Sequence, residues 1–267
     1  MTSSANIDVS PWQLTGQVAV VTGASSGIGR AIALELAAGG ADVIVHARQN
    51  AAGAEDVAQQ IRSMGRKSHV LLADLADPAS RTEFAKAAWA WQGKVDIWVN
   101  NAGADVLTGP AADWSFEQKM SRLWEVDVLA TVALSRIVGL QMVSAKRGVI
   151  LNLGWDQAEQ GMAGDAGEMF GTIKGAIIAF SRSLAQTLAP TVRVHCLAPG
   201  WIRTAWGEQA SSYWDDRAKR ESLLERWGTP EDVARAARFL ASPAAAFLTG
   251  QVVPINGGFR FGQPREE

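Results

Sequence analysis

The amino-acid sequence predicts an α/β fold: one domain over residues 1–267, built on a doubly wound parallel sheet of seven strands with helices on both faces. Two observations carry this prediction. Short runs rich in β-branched residues alternate with helical patterns along the whole chain, and the runs are continuously apolar, as in strands that helices cover on both faces. No linker, low-complexity tract or internal repeat divides the chain.

Each predicted strand is a short apolar run that ends at glycine, proline, asparagine or a charged residue. In chain order the strands are predicted at 17–23, 42–47, 69–74, 95–103, 148–154, 192–200 and 251–257. Helical patterns fill the gaps. In the first of them, 29–40, Ile32 and Leu36 follow Ile28 at the helical period and form one apolar face with it. The others are predicted around Ala54, Val57 and Ile61, and at 115–142, 169–188 and 230–241.

The composition argues against several classes of protein. The chain is 48% hydrophobic with a formal net charge of -2, so no nucleic-acid or anionic-membrane partner is expected. Its one cysteine, Cys196, excludes an internal disulfide framework and fits a reducing compartment. The N-terminus lacks the pattern of a secretory signal, and the three histidines lack metal-ligand spacing. We therefore expect a cytoplasmic protein without a metal site.

A glycine-rich loop follows the first predicted strand. The segment TGASSGIGR (22–30) places Gly23, Gly27 and Gly29 between that strand and the first helix. Glycines there let the backbone turn tightly and approach a pyrophosphate, which the helix N-terminus stabilises. The position of the loop, directly after a buried strand, indicates dinucleotide binding.

The spacing Gly-x-x-x-Gly-x-Gly resembles that of the short-chain dehydrogenase/reductase family, whose fold is Rossmann-like. NNAG (100–103), Asp74, APGWIRT (198–204) and LTGQVVPINGGF (248–259) agree with further motifs of that family in the same order. The resemblance implies that a nicotinamide dinucleotide binds to Gly23, Ser25, Ser26, Gly27, Ile28, Gly29, Arg48, Asp74, Leu75, Asn101, Ala102, Gly103, Lys174, Pro199, Gly200, Ile202 and Thr204.

The residues after the second strand favour NADP(H). NAD-binding relatives place an acid there to hold the ribose hydroxyls, whereas this chain has Ala47 followed by Arg48. A carboxylate would repel the 2′-phosphate of NADP(H), and an arginine attracts it. The alternative is that Arg48 is an ordinary solvated surface residue.

The resemblance also implies a reaction centre, which this chain has changed. Lys174 matches the family's lysine, but Phe170 stands at the catalytic tyrosine, Trp155 at the serine and Asp127 at the asparagine. The change at Asp127 is mild, since the family uses the main-chain carbonyl there, although it adds a carboxylate near Lys174. Without the tyrosine, ordinary hydride transfer to a ketone should be severely impaired.

Three residues could replace the missing proton donor: Asp156, Glu168 and Tyr213. Asp156 should point away if Trp155 points inward, and Glu168 should precede its helix and interact with the helix N-terminus. Tyr213 lies in the segment 201–227, which covers the substrate in the family and here holds Trp201, Trp206, Trp214 and Trp227. These tryptophans fit either an aromatic lid over a ligand or a loop packed on itself.

Three functions remain open. The first is an NADP(H)-dependent oxidoreductase acting on an unknown small molecule that needs little acid assistance, or to which water or a substrate group supplies the proton. The second is a non-enzymatic NADP(H)-binding sensor or an inactive subunit, and the third is a non-redox enzyme on this scaffold. The retained glycine loop and Lys174 argue against the third. The resemblance implies a homodimer or homotetramer, with Leu129, Ile177 and Phe180 among the apolar positions available for the interface.

Overall fold

The computed structural model of the chain describes residues 10–208 and 210–260. The two ends of the predicted 1–267 domain and residue 209 of the segment 201–227 therefore lie outside the described residues. For Ser10 and Trp206 only the backbone is described.

Seven parallel strands form one sheet in the order β3-β2-β1-β4-β5-β6-β7, which confirms the predicted fold class. They are β1 (Val18–Val21), β2 (Asp42–Ala47), β3 (Ser68–Leu72), β4 (Ile97–Asn100), β5 (Val149–Leu153), β6 (Arg193–Pro199) and β7 (Val252–Ile255). The order reverses between β1 and β4. In open parallel sheets, ligands bind outside the carboxyl ends of the strands at this point.

Nine α-helices are described: α1 (Gly27–Ala38), α2 (Ala51–Ser63), α3 (Pro78–Gln92), α4 (Phe116–Leu123), α5 (Ala130–Ser144), α6 (Asp165–Leu188), α7 (Ala205–Glu208), α8 (Ser212–Glu221) and α9 (Pro230–Ala241). The predicted helix 115–142 is α4 and α5 joined by a π-helical segment, Trp124–Leu129. The helix predicted at 169–188 starts earlier, at Asp165, so Glu168 lies inside its first turn and does not precede it.

Two apolar layers enclose the sheet. On one face α1, α2 and α9 pack on alternate residues of the strands, with Ile32, Val57 and Val233 fully buried. On the other face α3, α5 and α6 pack around Trp98, Leu134 and Ile150, which are equally inaccessible. Because both faces are covered, β1, β4 and β5 are buried at every residue, which explains why they are apolar except at Asn100 and Asn152.

The continuous helical stretch Phe116–Ser144 is long and apolar enough to cross a membrane by composition. Half of its most apolar window is buried inside the fold, and core helices satisfy the same test. It is weak evidence for a membrane span.

The expectation that Ile177 is available for a subunit interface is wrong. Ile177 is only 1% exposed and packs with Val106, Leu123 and Cys196, because it faces the sheet. It is not available for a subunit interface. Phe180 is partly buried against the core, whereas Leu129 is 41% exposed.

Candidate active site

The glycine-rich loop lies between β1 and α1, at the reversal of strand order. Gly23 has a φ of +63°, and a Cβ added to it would lie 2.8 Å from the Cα of Ala102. A Cβ on Gly29 would lie 2.3 Å from the carbonyl oxygen of Gly23. Ser26 caps α1 without a side-chain hydrogen bond to it, so the cap leaves the first-turn amides to other acceptors. This arrangement is suited to a phosphate group.

The His46 side chain supports the glycine-rich loop through a hydrogen bond to Gly23. Its Nδ1 accepts a hydrogen bond from the Gly23 amide at 3.1 Å, and its Nε2 lies 3.1 Å from the carbonyl oxygen of Ala73. This pattern places the proton on Nε2. Burial lowers the pKa of His46 to about 4, so the ring is neutral at pH 7 and can accept. This contact was not predicted from the sequence; a histidine near the end of an apolar strand was the available signal.

Asn101 and Thr22 join the loop after β4 to the glycine-rich loop. The Asn101 Nδ2 donates to the carbonyl oxygens of Thr22 and Gly23, and the Thr22 hydroxyl accepts from the amides of Asn101 and Ala102. These bonds fix the floor of the site.

A groove of about 660 Å³ runs along these loops. Most of the residues predicted to bind the dinucleotide line it: Gly23, Ser25, Ser26, Ile28, Gly29, Arg48, Asp74, Leu75, Asn101, Ala102 and Gly103. Arg48 is exposed and makes no ion pair with any residue of the described ranges, while Ala47 beside it is 2% exposed. The Asp74 carboxylate accepts from the Ala76 amide at 2.9 Å.

A second cavity, of about 580 Å³, adjoins the groove and shares Ile28 and Asn101 with it. The remaining predicted residues that line it are Lys174, Pro199, Gly200, Ile202 and Thr204. Of the predicted dinucleotide residues, only Gly27 is absent from both linings; a Cβ on it would lie 3.8 Å from Thr204. The structure therefore brings the predicted residues together in two connected spaces.

Lys174, which lines the second cavity, forms an ion pair with Asp127. The Lys174 Nζ lies 2.8 Å from Oδ2 of Asp127, and the other carboxylate oxygen accepts from the Ala104 amide at 2.8 Å. The Asp127 side chain is 3% exposed and that of Lys174 is 16% exposed. Asp127 lies in the π-helical segment, a kind of turn that is frequent at functional sites. The predicted carboxylate near Lys174 is thus in direct contact with it.

Trp155 and Phe170 line the same cavity as Lys174. Their ring centroids are 6.4 Å apart and the ring planes meet at 72°. The indole nitrogen of Trp155 has no hydrogen-bond partner among the described residues. The cavity wall at this point is apolar and contains no hydroxyl group.

The segment 201–227 contains α7 and α8, which were not predicted from the sequence. Trp201 and Trp214 line the cavity and contact each other at 5.6 Å, while the Arg217 guanidinium lies over both rings. Trp227 is 5% exposed and packs against Trp201. Trp201 thus packs on both Trp214 and Trp227, and Trp201 and Trp214 also face the cavity.

None of the three candidate proton donors lines the cavity. Asp156 is turned away, as expected with Trp155 inward, and accepts from the Asn256 amide group at 3.0 Å. Glu168 is exposed, and Tyr213 is 60% exposed against the edge of Trp214. No group of His, Cys, Asp or Glu able to hold a metal occurs in residues 10–208 and 210–260.

Asp156 is a buried carboxyl whose Oδ1 has no hydrogen-bond partner. Burial raises its pKa from 3.8 to about 6. Because the folded state holds this proton more tightly than the unfolded state, its contribution to stability is lost as the pH rises through 6. Asp156→Asn should therefore increase the free energy of unfolding at pH 8 by about 2 kcal/mol more than at pH 4.

Urea unfolding of both proteins at the two pH values measures this difference. Asp113→Asn, at an exposed carboxylate, is the matched control. A gain that is equal at both pH values would show that Asp156 titrates as in the unfolded chain.

A series of hydrogen bonds between buried polar side chains was not predicted from the sequence. Trp98 donates to Asn100, Asn100 donates to Ser135 and Asn152, and Asn152 donates to Ser181. These bonds connect β4 and β5 with α5 and α6, the helix that bears Lys174. The available signal was an asparagine inside each of two apolar strands, IWVN and VILNL.

Comparison with known proteins agrees with this geometry. Residues 23–260 match a family model described as enoyl-(acyl carrier protein) reductase. An uncharacterized oxidoreductase of Mycobacterium tuberculosis is 37% identical over 94% of each chain. The 3-oxoacyl-[acyl-carrier-protein] reductase of Synechocystis is 33% identical over 92% of this chain and 97% of its own. The chain belongs to the short-chain dehydrogenase/reductase family.

Solved structures of this dehydrogenase/reductase family superpose closely. A 7α-hydroxysteroid dehydrogenase in complex with NADH and 7-oxo glycochenodeoxycholic acid has a TM-score of 0.85 and 31% identity, covering 94% of this chain and 97% of its own. A gluconate 5-dehydrogenase from Burkholderia cenocepacia, in complex with NADP and tartrate, has a TM-score of 0.83 and 26% identity over 94% and 97%. These relatives differ in both cofactor and substrate.

Proposed function

We propose that the protein is an oxidoreductase that binds NADP(H) in the groove and a small molecule in the adjoining cavity. The main support for this proposal is that the groove and the cavity share Ile28 and Asn101 in their walls, and that Lys174 lines the cavity. Solved relatives that superpose over the whole fold hold NADH or NADP, which supports a nicotinamide dinucleotide here.

The residues of the groove fit such a cofactor. The first turn of α1 and the space above Gly23 and Gly29 suit a pyrophosphate, since any side chain at either glycine would collide with the neighbouring backbone. Arg48 would hold the 2′-phosphate, and Lys174 would hold the ribose next to the nicotinamide. The bound cofactor would supply or accept a hydride. The chain itself would position the reactants and exclude water.

The chemistry in the second cavity differs from that of the family in general. A tyrosine and a serine would ordinarily contact the substrate oxygen, and here Phe170 and Trp155 occupy those positions without a hydroxyl. Turnover of ordinary ketones and alcohols should be slow. The segment 201–227 would cover the substrate, with Trp201 and Trp214 facing it.

A second candidate is a non-enzymatic NADP(H)-binding protein, either a sensor or an inactive subunit. The apolar wall formed by Trp155 and Phe170 favours it, as does the engagement of Lys174 by Asp127. Single-turnover oxidation of bound NADPH in the presence of a substrate panel separates the candidates, since a binding protein would oxidise the cofactor with none of the panel.

NADPH should bind more tightly than NADH, and Arg48→Ala should weaken NADPH binding by about 10- to 100-fold. The reason is the loss of a charge-assisted hydrogen bond to phosphate, about 1.5–3 kcal/mol. Calorimetric titration of both cofactors measures the effect. Arg136→Ala, at an exposed arginine on α5, is the control. Equal affinity for the two cofactors, or an unchanged Kd for NADPH in Arg48→Ala, would refute the NADP(H) assignment.

We also propose a cytoplasmic homodimer or homotetramer. The stretch Phe116–Ser144 exposes Trp124, Leu129, Leu140 and Val143, an apolar set that a partner could cover. Leu140→Arg should then lower the molar mass measured by light scattering, while Met64→Arg, at an exposed residue just after α2, should leave it unchanged. A monomeric wild-type protein at micromolar concentration would contradict this.

A further inference from the structure

We infer that the second cavity takes a cationic ligand with a C=N bond, an iminium ion or a protonated imine. This inference rests on the proposed function and identifies the class of its substrate. Three features of the cavity support it together: none of Asp156, Glu168 and Tyr213 lines it, two aromatic rings do, and the charge of Lys174 is paired.

The proton requirement separates the classes of hydride acceptor. A ketone that gains a hydride becomes an alkoxide and needs a proton. An iminium carbon gains the hydride with its electron pair, the C=N π pair becomes the nitrogen lone pair, and a neutral amine forms with no proton taken up. A reduced nicotinamide dinucleotide is the hydride source in both cases. Asp156, Glu168 and Tyr213 do not face the cavity, so an acceptor that needs no acid suits it better.

The walls of the cavity suit a positive charge. Trp155 and Phe170 both line the cavity and contact each other edge to face, with their ring planes at 72°. A cation over such rings is attracted by their negative faces, by about 0.5–2 kcal/mol for each well-placed ring. Arg217 already covers Trp201 and Trp214, and its charge is paired with Glu221 at 2.7 Å. The wall formed by Trp155 and Phe170 is therefore the place for the ligand's cation.

The charge of Lys174 would oppose a cation if it stood alone. It is the only charged side chain among the described lining residues, and the carboxylate of Asp127 lies 2.8 Å from its Nζ. The pair carries no net charge. The residues at positions 127, 155 and 170 thus favour the same class of ligand. Trp155 and Phe170 offer no hydroxyl group to a substrate oxygen, and Asp127 offsets the lysine charge that would repel a cation.

The first test is binding, measured by calorimetry with NADPH-loaded protein. Benzyltrimethylammonium is compared with neopentylbenzene, its uncharged isostere, because neither can be reduced. The cation should bind about 10-fold more tightly or better. Trp155→Leu should reduce this preference about 10-fold, and Trp155→Phe, which keeps an aromatic ring, should retain most of it. Equal binding of the two probes, or an unchanged preference in Trp155→Leu, would overturn the inference.

The second test is turnover. The wild-type protein should oxidise NADPH with 2-methyl-3,4-dihydroisoquinolinium at least about 100-fold faster than with 1-tetralone, a ketone of similar shape. The reverse order would overturn the inference and indicate a proton donor such as Lys174 itself. Titration with NADPH alone distinguishes the two proposals: failure to bind NADPH refutes the proposed function, whereas binding without cation preference refutes only the substrate class.

Discussion

The variant Phe170→Tyr with Trp155→Ser should reduce simple ketones with NADPH at least about 100-fold faster than either single variant. General acid catalysis contributes on the order of 10²- to 10⁴-fold, and both hydroxyls would act on the same substrate oxygen. Phe170→Tyr alone leaves the Trp155 indole in the cavity, where the ring centroids are 6.4 Å apart. Trp155→Ser alone opens space but supplies no acid.

The measurement is NADPH oxidation against a panel of ketones and aldehydes for the wild type, both single variants and the double variant. Phe180→Tyr adds a hydroxyl to α6 away from the cavity and is the matched control. Rapid reduction of simple ketones by the wild type would show that another residue donates the proton.

The Asp127 carboxylate should limit ketone reduction by this double variant. Lys174 would have to lower the pKa of the new tyrosine, but its charge is offset by Asp127 at 2.8 Å. Adding Asp127→Asn to the double variant should therefore increase ketone reduction further and shift its pH profile toward lower pH. An unchanged profile would mean that Asp127 does not influence the field at position 170.

Lys174→Met should lower the free energy of unfolding by about 3 kcal/mol, because it leaves the Asp127 carboxylate buried without its cation. The Ala104 amide still donates to that carboxylate, which keeps the loss at the lower end of the range for broken buried pairs. Asp127→Asn should cost about 1–2 kcal/mol, since Lys174 borders the cavity and can be hydrated there.

The combination of Lys174→Met with Asp127→Asn should be more stable than Lys174→Met alone, since no unpaired charge remains. Urea unfolding at neutral pH of the four proteins measures this coupling. Lys86→Met, which removes an exposed lysine paired with Glu83, is the control and should cost little. Strict additivity of the two substitutions would show that the pair does not contribute to stability.

The dehydrogenase/reductase fold and the glycine-rich loop could be predicted from the sequence because each depends on a local pattern. Strands buried on both faces must be largely apolar, and β1, β4 and β5 are, apart from Asn100 and Asn152, which hydrogen-bond to each other. The tight approach of Gly29 to Gly23 excludes any side chain, so glycine itself marks the turn. The ends of the elements were less accurate: α6 begins four residues before the predicted start.

The sequence by itself determined the strands, the glycine loop and the absence of hydroxyl groups at positions 155 and 170. Only the tertiary structure decided which side chains meet. His46 supports Gly23 across 23 positions, Asp127 pairs with Lys174 across 47, and Asp156 accepts from Asn256 across 100. The packing of α6 in the fold likewise decided that Ile177 is buried in the core. Such contacts depend on how distant elements pack and on the direction of each side chain, and local periodicity carries neither.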